Sequence, residues 1–126
     1  MKRVVLDTNF LVSAAKYRIP LKAEIGRVLG APSELFLSEK VIEELSQIAS
    51  AKKKDSPAAH AALDFLADSG ARIVPTSQPV DPWILESAAR DREIIVATND
   101  RELCLKLRHL KVRVLTIKGK SKLGFM

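Results

Sequence analysis

The sequence predicts an α/β fold: one domain in three layers, α/β/α, with a five-stranded parallel sheet in the middle. Three observations predict it. Apolar runs rich in β-branched residues alternate with helix-period repeats along the chain, beginning with Val4-Val5-Leu6 and then Phe10, Leu11 and Ala14. The strand-like runs are continuously apolar rather than alternating, as strands covered on both faces are. With 126 residues, 47% of them hydrophobic, the chain can bury one core, and its length suits one domain.

The elements follow in order. The first strand ends abruptly at Asp7, and a helix is expected from about Phe10 to Tyr17. Pro20 interrupts it, and a second helix covers Leu21 to Leu29, stopped by Gly30 and Pro32. Glu34 to Ser38 reads as the second strand, with Ser38 as N-cap of a helix from Glu39 to Ser50. A charged turn carrying Lys52, Lys53 and Lys54 leads through Ser56 and Pro57 into an alanine-rich helix that Gly70 closes. Ala71 to Pro75 is the third strand. The helix that starts at Asp81-Pro82 ends near Arg92. Glu93 to Thr98 is the fourth strand, Asp100 to Leu110 a helix, and Val112 to Ile117 the fifth strand. The remainder, with Lys118, Lys120 and Lys122, is a basic tail expected to be mobile.

Composition narrows the partners. A formal charge of +6 points to an anionic partner, nucleic acid first, and aromatics at 5% favour contact with phosphates over base stacking. Lys52 to Lys54 and Lys118, Lys120 and Lys122 are either solvated charges or the two candidate segments for contact with nucleic-acid phosphates. A single cysteine, Cys104, excludes an internal disulfide and fits a reducing, cytoplasmic setting. No run approaches the roughly 20 apolar residues of a membrane span. Trp83 is expected to pack at a helix start or a subunit contact.

Periodicity sorts the acidic residues. Positions three, four and seven residues beyond Asp7, Asp81 and Asp100 are Phe10, Leu11, Ala14; Ile84, Leu85, Ala88; and Leu103, Cys104, Leu107. Each aspartate therefore heads a buried helical stripe. Asp81 and Asp100 could each serve only as a helix cap; Asp7, ending an apolar strand, is harder to explain that way. Glu44 flanks Val41, Leu45 and Ile48, whereas Glu43 points away. In open α/β sheets ligands collect beyond the carboxyl ends of strands, where strand order reverses. Carboxylates crowded there repel one another unless a cation neutralises them, and an all-oxygen set suits Mg²⁺ or Mn²⁺. One cysteine and two sequence-distant histidines, His60 and His109, cannot assemble a zinc site. One or two ions bridging the carboxylates and a phosphodiester would make a phosphodiester hydrolase, with Thr8, Asn9, Thr98 and Asn99 orienting the carboxylates by hydrogen bonds.

The segments V-V-L-D-T-N-F-L, V-I-E-E-L, V-D-P-W-I-L-E-S-A-A and A-T-N-D-R-E-L, in this order and spacing, resemble the PIN-domain ribonucleases over nearly the whole chain. The resemblance implies a strand order of 3-2-1-4-5, an acidic quartet of Asp7, Glu44, Asp81 and Asp100, and Mg²⁺- or Mn²⁺-dependent cleavage of RNA. It also implies frequent homodimers. Residues 1–117 would form the PIN-like nuclease domain and 118–126 the basic C-terminal tail. Two roles are open: a VapC-like toxin that cuts tRNA or rRNA and is held by an antitoxin, or a ribosomal-RNA-processing enzyme. A non-catalytic RNA-binding PIN domain is the alternative, though such a domain should lack part of the quartet. A haloacid dehalogenase-type phosphatase needs a second aspartate where Asn9 stands, and a two-component receiver needs one near Pro75-Thr76.

Overall fold

In the computed structural model, which describes residues 1–126, β1 (Lys2–Leu6) lies inside the sheet with Val4, Val5 and Leu6 buried. A strand buried on both faces needs neighbours on both edges. β2 (Ser33–Ser38) pairs with it in parallel on one side and β4 (Ile95–Ala97) on the other. β3 (Arg72–Val74) extends the sheet beyond β2, and β5 (Arg113–Lys118) beyond β4, both in parallel. The order 3-2-1-4-5 is therefore present, and it reverses direction between β1 and β4.

The crossovers are helical. α1 (Thr8–Lys16) and α2 (Leu21–Leu29) join β1 to β2, and α3 (Glu39–Ser50) and α4 (Ser56–Ser69) form a hairpin between β2 and β3. α5 (Val80–Arg90) leads to β4, and α6 (Arg101–His109) to β5. Gly30 and Gly70, at φ 62° and 72°, end α2 and α4 in the left-handed conformation that glycine adopts without a Cβ penalty. The Ser56 hydroxyl accepts from the Lys53 N–H at 2.8 Å and donates to the Ile48 carbonyl at 2.7 Å, which closes the α3–α4 turn. The helical stripes anticipated behind the three aspartates are buried at Phe10, Leu11, Ala14, Ile84, Ala88, Leu103, Cys104 and Leu107. These residues join one core cluster, so the chain has a single domain core.

The tail differs from expectation. Residues Lys122–Phe125 form β6, an antiparallel sixth strand on β5, so the sheet is mixed rather than wholly parallel. Leu123 is buried in the core. Its carbonyl accepts from Arg27 at 2.9 Å, and its N–H donates to Glu24 Oε1 at 3.0 Å. Arg27 and that N–H together hold the Glu24 carboxyl down at about 2. The Arg113 guanidinium stacks 3.7 Å from the centroid of Phe125. The tail is thus part of the fold, and only the Gly119–Ser121 turn projects from it. Leu123→Ala is expected to cost about 2–4 kcal/mol in thermal or denaturant unfolding; a change below about 0.5 kcal/mol would mean that β6 does not hold the core.

Candidate active site

Asp7, Glu44, Asp81 and Asp100 line one pocket of about 330 Å³, together with Thr8, Asn9 and the Pro79–Pro82 turn. The pocket lies at the carboxyl ends of β1 and β4, where the strand order reverses. The backbone sets this up directly: the Asp7 N–H donates to the Ala97 carbonyl at 3.0 Å, so the β1 end is tied to the β4 end.

Each carboxylate is placed by its own local structure. Asp7 is 4% exposed and is the N-cap of α1. Its Oδ1 accepts from the Thr8 N–H at 2.9 Å, and its Oδ2 accepts from the Thr98 hydroxyl at 2.7 Å. Thr98, fully buried, also accepts the Asp100 N–H at 3.1 Å, so one hydroxyl joins the two aspartates. Asp100 caps α6, its Oδ1 taking the Leu103 N–H at 3.0 Å. Glu44, on α3, accepts from the Thr8 hydroxyl. Glu43 pairs instead with Lys40 on the outside of the helix, so the choice between the two glutamates follows the helix phase. Asp81 stands in the first turn of α5, behind the N-cap Pro79; it is not the helix cap that a position before Pro82 suggests. It is exposed at the pocket mouth.

The electrostatics match a crowded acidic site. Burial pushes the Asp7 carboxyl up to about 6, against the Thr98 and Thr8 hydrogen bonds, and Asp81 and Asp100 add to the rise. Asp81 is raised by desolvation and by facing Asp100 and Glu44. Cys104, buried below the site, has its thiol raised by burial and by Asp100 and Asp7, which keeps it protonated and inert as a nucleophile.

The orienting residues divide. Thr8 and Thr98 hold carboxylates, as anticipated. Asn9 lines the pocket. Asn99 does not reach the acids: its side-chain oxygen accepts from the Thr116 hydroxyl at 2.7 Å and the Ile117 N–H at 3.1 Å, which anchors β5 to the start of α6. Ser38 is the N-cap of α3 as anticipated, but by backbone position alone: its fully buried hydroxyl makes no capping bond and has no partner. Lys52, Lys53, Lys54, Lys118, Lys120 and Lys122 are all exposed and lie outside the pocket lining. Both segments border the C-terminal end of α1: Asp55 pairs with Lys16 at 3.2 Å, and Lys120 sits 6.0 Å from the Tyr17 ring centroid. Trp83 is half-buried at the start of α5, packed against the core. His60 and His109 are exposed.

As the side chains stand, no three Asp, Glu, His or Cys residues are gathered tightly enough to ligate one ion. The donor set nevertheless suits a hard divalent cation. It is all oxygen, it carries up to four negative charges, and burial, with like-charge repulsion added to it, raises Asp7 and Asp81.

Residues 4–120 match the family described as PIN like domain. Over 125 residues the chain is 32% identical to Ribonuclease VapC4 of Methanocaldococcus jannaschii, which spans 96% of this chain and 94% of that protein. Among solved structures it is similar to the PIN domain endonuclease Utp24, with a TM-score of 0.83 at 22% identity over 98% of this chain and 90% of that one. It is also similar to a domain of a functionally unknown protein from Methanocaldococcus jannaschii, with a TM-score of 0.64 at 15% identity over 94% and 93% of the two chains. At these identities the two structures establish the fold.

Proposed function

Because the chain belongs to the PIN-domain ribonuclease family, we propose that its acidic pocket is the active site of a Mg²⁺- or Mn²⁺-dependent endoribonuclease. The observation that carries this reading is the meeting of Asp7, Glu44, Asp81 and Asp100, from four separate segments, in one pocket at the sheet's reversal point. The complete quartet also argues against a purely RNA-binding domain.

Asp7, Glu44, Asp81 and Asp100 would hold the ion, which when bound polarises a phosphoryl oxygen and favours ionisation of water. The chain's own residues do the positioning. Thr8 and Thr98 fix both oxygens of Asp7, so the deepest carboxylate keeps one orientation. Thr8 holds Glu44 by Oε1 and leaves Oε2 free for the pocket. Leu103 holds Asp100 by Oδ1 and leaves Oδ2 free. Asp81, exposed at the pocket mouth, stands where an attacking water would enter from solvent. The lysines around the C-terminal end of α1 supply charge for the RNA backbone.

The likeness to Ribonuclease VapC4 along the full chain favours the toxin role, with an antitoxin as protein partner. The test is cleavage of total RNA with Mn²⁺ and mapping of the ends. Cuts inside mature tRNA or rRNA support the toxin, and cuts at precursor boundaries support processing. In the same assay Glu44→Gln is expected to lower the rate at least about tenfold while Glu43→Gln stays within about twofold. The reverse ranking, or no cleavage by the wild type, removes the assignment.

A further inference from the structure

We propose that a second RNA-binding site lies at the opposite, amino end of the sheet, in a basic cleft that grips the phosphate backbone of a substrate cut in the acidic pocket; this rests on the ribonuclease reading above. The cleft measures about 870 Å³ and is larger than the acidic pocket. The sheet topology creates it. β1 is flanked by β2 and β4, and the short approaches to those strands, Ala31-Pro32 and Arg92-Glu93, rise on either side of Lys2 and Arg3. Lys111 and Arg113, at the start of β5, complete the wall.

Five cationic side chains, Lys2, Arg3, Arg92, Lys111 and Arg113, face one glutamate, Glu93. With Asp91 counted as the partner of Arg3, that leaves a surplus of three charges in a chain whose whole surplus is six. Elsewhere, cations such as Arg27, Arg90 and Lys106 are paired with acids of their own helices. In the cleft only Arg3 forms an ion pair, with Asp91. Arg113 is fixed instead by its stacking on Phe125. Like charges gathered without counter-charges oppose the fold, so their concentration suits a polyanion. Lys111 adds to that cost: at φ 59° it occupies the left-handed residue after α6, where glycine is favoured.

The ligand class follows from the lining. Guanidinium and ammonium groups match phosphate oxygens, and no aromatic side chain lines the cleft for a base to stack on. The grip is therefore on the backbone and independent of sequence. Lys2 and Asp7 are separated by the length of β1, roughly 16 Å, so only an RNA of several nucleotides reaches both sites.

The test is Arg92→Gln combined with Lys111→Gly, probed with a single-stranded RNA of about 30 nucleotides in metal-free buffer across a salt series. Glycine suits the left-handed backbone at position 111, so the melting temperature is expected to hold. Binding is expected to weaken at least about tenfold, and the slope of log Kd against log salt to become shallower by about 1.4, the value for two lost phosphate contacts on a single strand. Unchanged affinity and slope in the folded variant overturn the proposal. So does tighter binding of polyglutamate than of RNA by the wild type, lost in the variant, which would assign the cleft to an acidic protein. The same pair of changes is read in an Asp7→Asn background. There the binding result stands whether or not the acidic pocket cleaves RNA, so failure of the cleft and failure of the ribonuclease reading remain distinct.

Discussion

Asp7→Asn is expected to give a folded protein whose Mg²⁺- or Mn²⁺-dependent cleavage of RNA falls at least about a hundredfold. Asparagine is nearly isosteric with aspartate. Its side-chain oxygen can still accept the Thr8 N–H, and its amide can donate to the Thr98 hydroxyl, which then accepts both that amide and the Asp100 N–H and gives up its own bond to position 7. The local geometry at the end of β1 therefore survives. What is lost is the most buried negative charge in the pocket, the one held from both sides and unable to be replaced by rotation of a neighbour. Initial rates with each metal, beside a circular dichroism spectrum, decide it. Near-wild-type cleavage by a folded variant would falsify the acidic pocket as the catalytic centre.

Asp7 was legible in the sequence because a charge at the end of Val4-Val5-Leu6 has few structural explanations. Helical phase separated Glu44 from Glu43 because Val41 and Leu45 mark the buried side of α3. Other features depend on contacts that no local pattern encodes. β6 contains Gly124 and follows a run of lysines, so its sequence looks like a tail; it becomes a strand only because β5 offers an edge and the core accepts Leu123. Asn99 looked like a partner of the acids by adjacency, yet the direction of the backbone after β4 turns it toward β5. Lys2, Arg3, Arg92, Lys111 and Arg113 are scattered along the chain and read singly as solvated charges. The sheet alone brings their strand starts together. Strand order itself came from family resemblance, since apolar runs indicate a parallel sheet without saying which strands are neighbours.

The metal-free protein is expected to lose stability as pH rises through the range where most domains are steady. Asp7 ionises near 3.8 when unfolded and near about 6 in the fold, mainly because burial disfavours its charge. Between those values the folded chain holds a proton that the unfolded chain has released, so the stability slope with pH is negative. The contribution is complete below about pH 4 and is lost as pH passes about 6. Each pH unit in that window is worth about 1.4 kcal/mol, so the fall attributable to Asp7 is about 3 kcal/mol. Depressed carboxyls such as Glu24 act in the opposite direction at lower pH, between about 2 and 4.5. Urea unfolding in EDTA at pH 4.5 and 7.5 spans the Asp7 window, and the difference between the wild type and Asp7→Asn separates it from the raised Asp81, which acts in the same direction. Asp7→Asn is expected to flatten the decline and to be the more stable protein at pH 7.5. Adding millimolar Mg²⁺ or Mn²⁺ at pH 7.5 should stabilise the wild type and leave the variant nearly unchanged, because a bound cation replaces the proton as the partner of the buried charge. A wild type equally stable at both pH values, matched by the variant, would show that the Asp7 charge is already compensated inside the chain. The pocket would then have no electrostatic need of a cation.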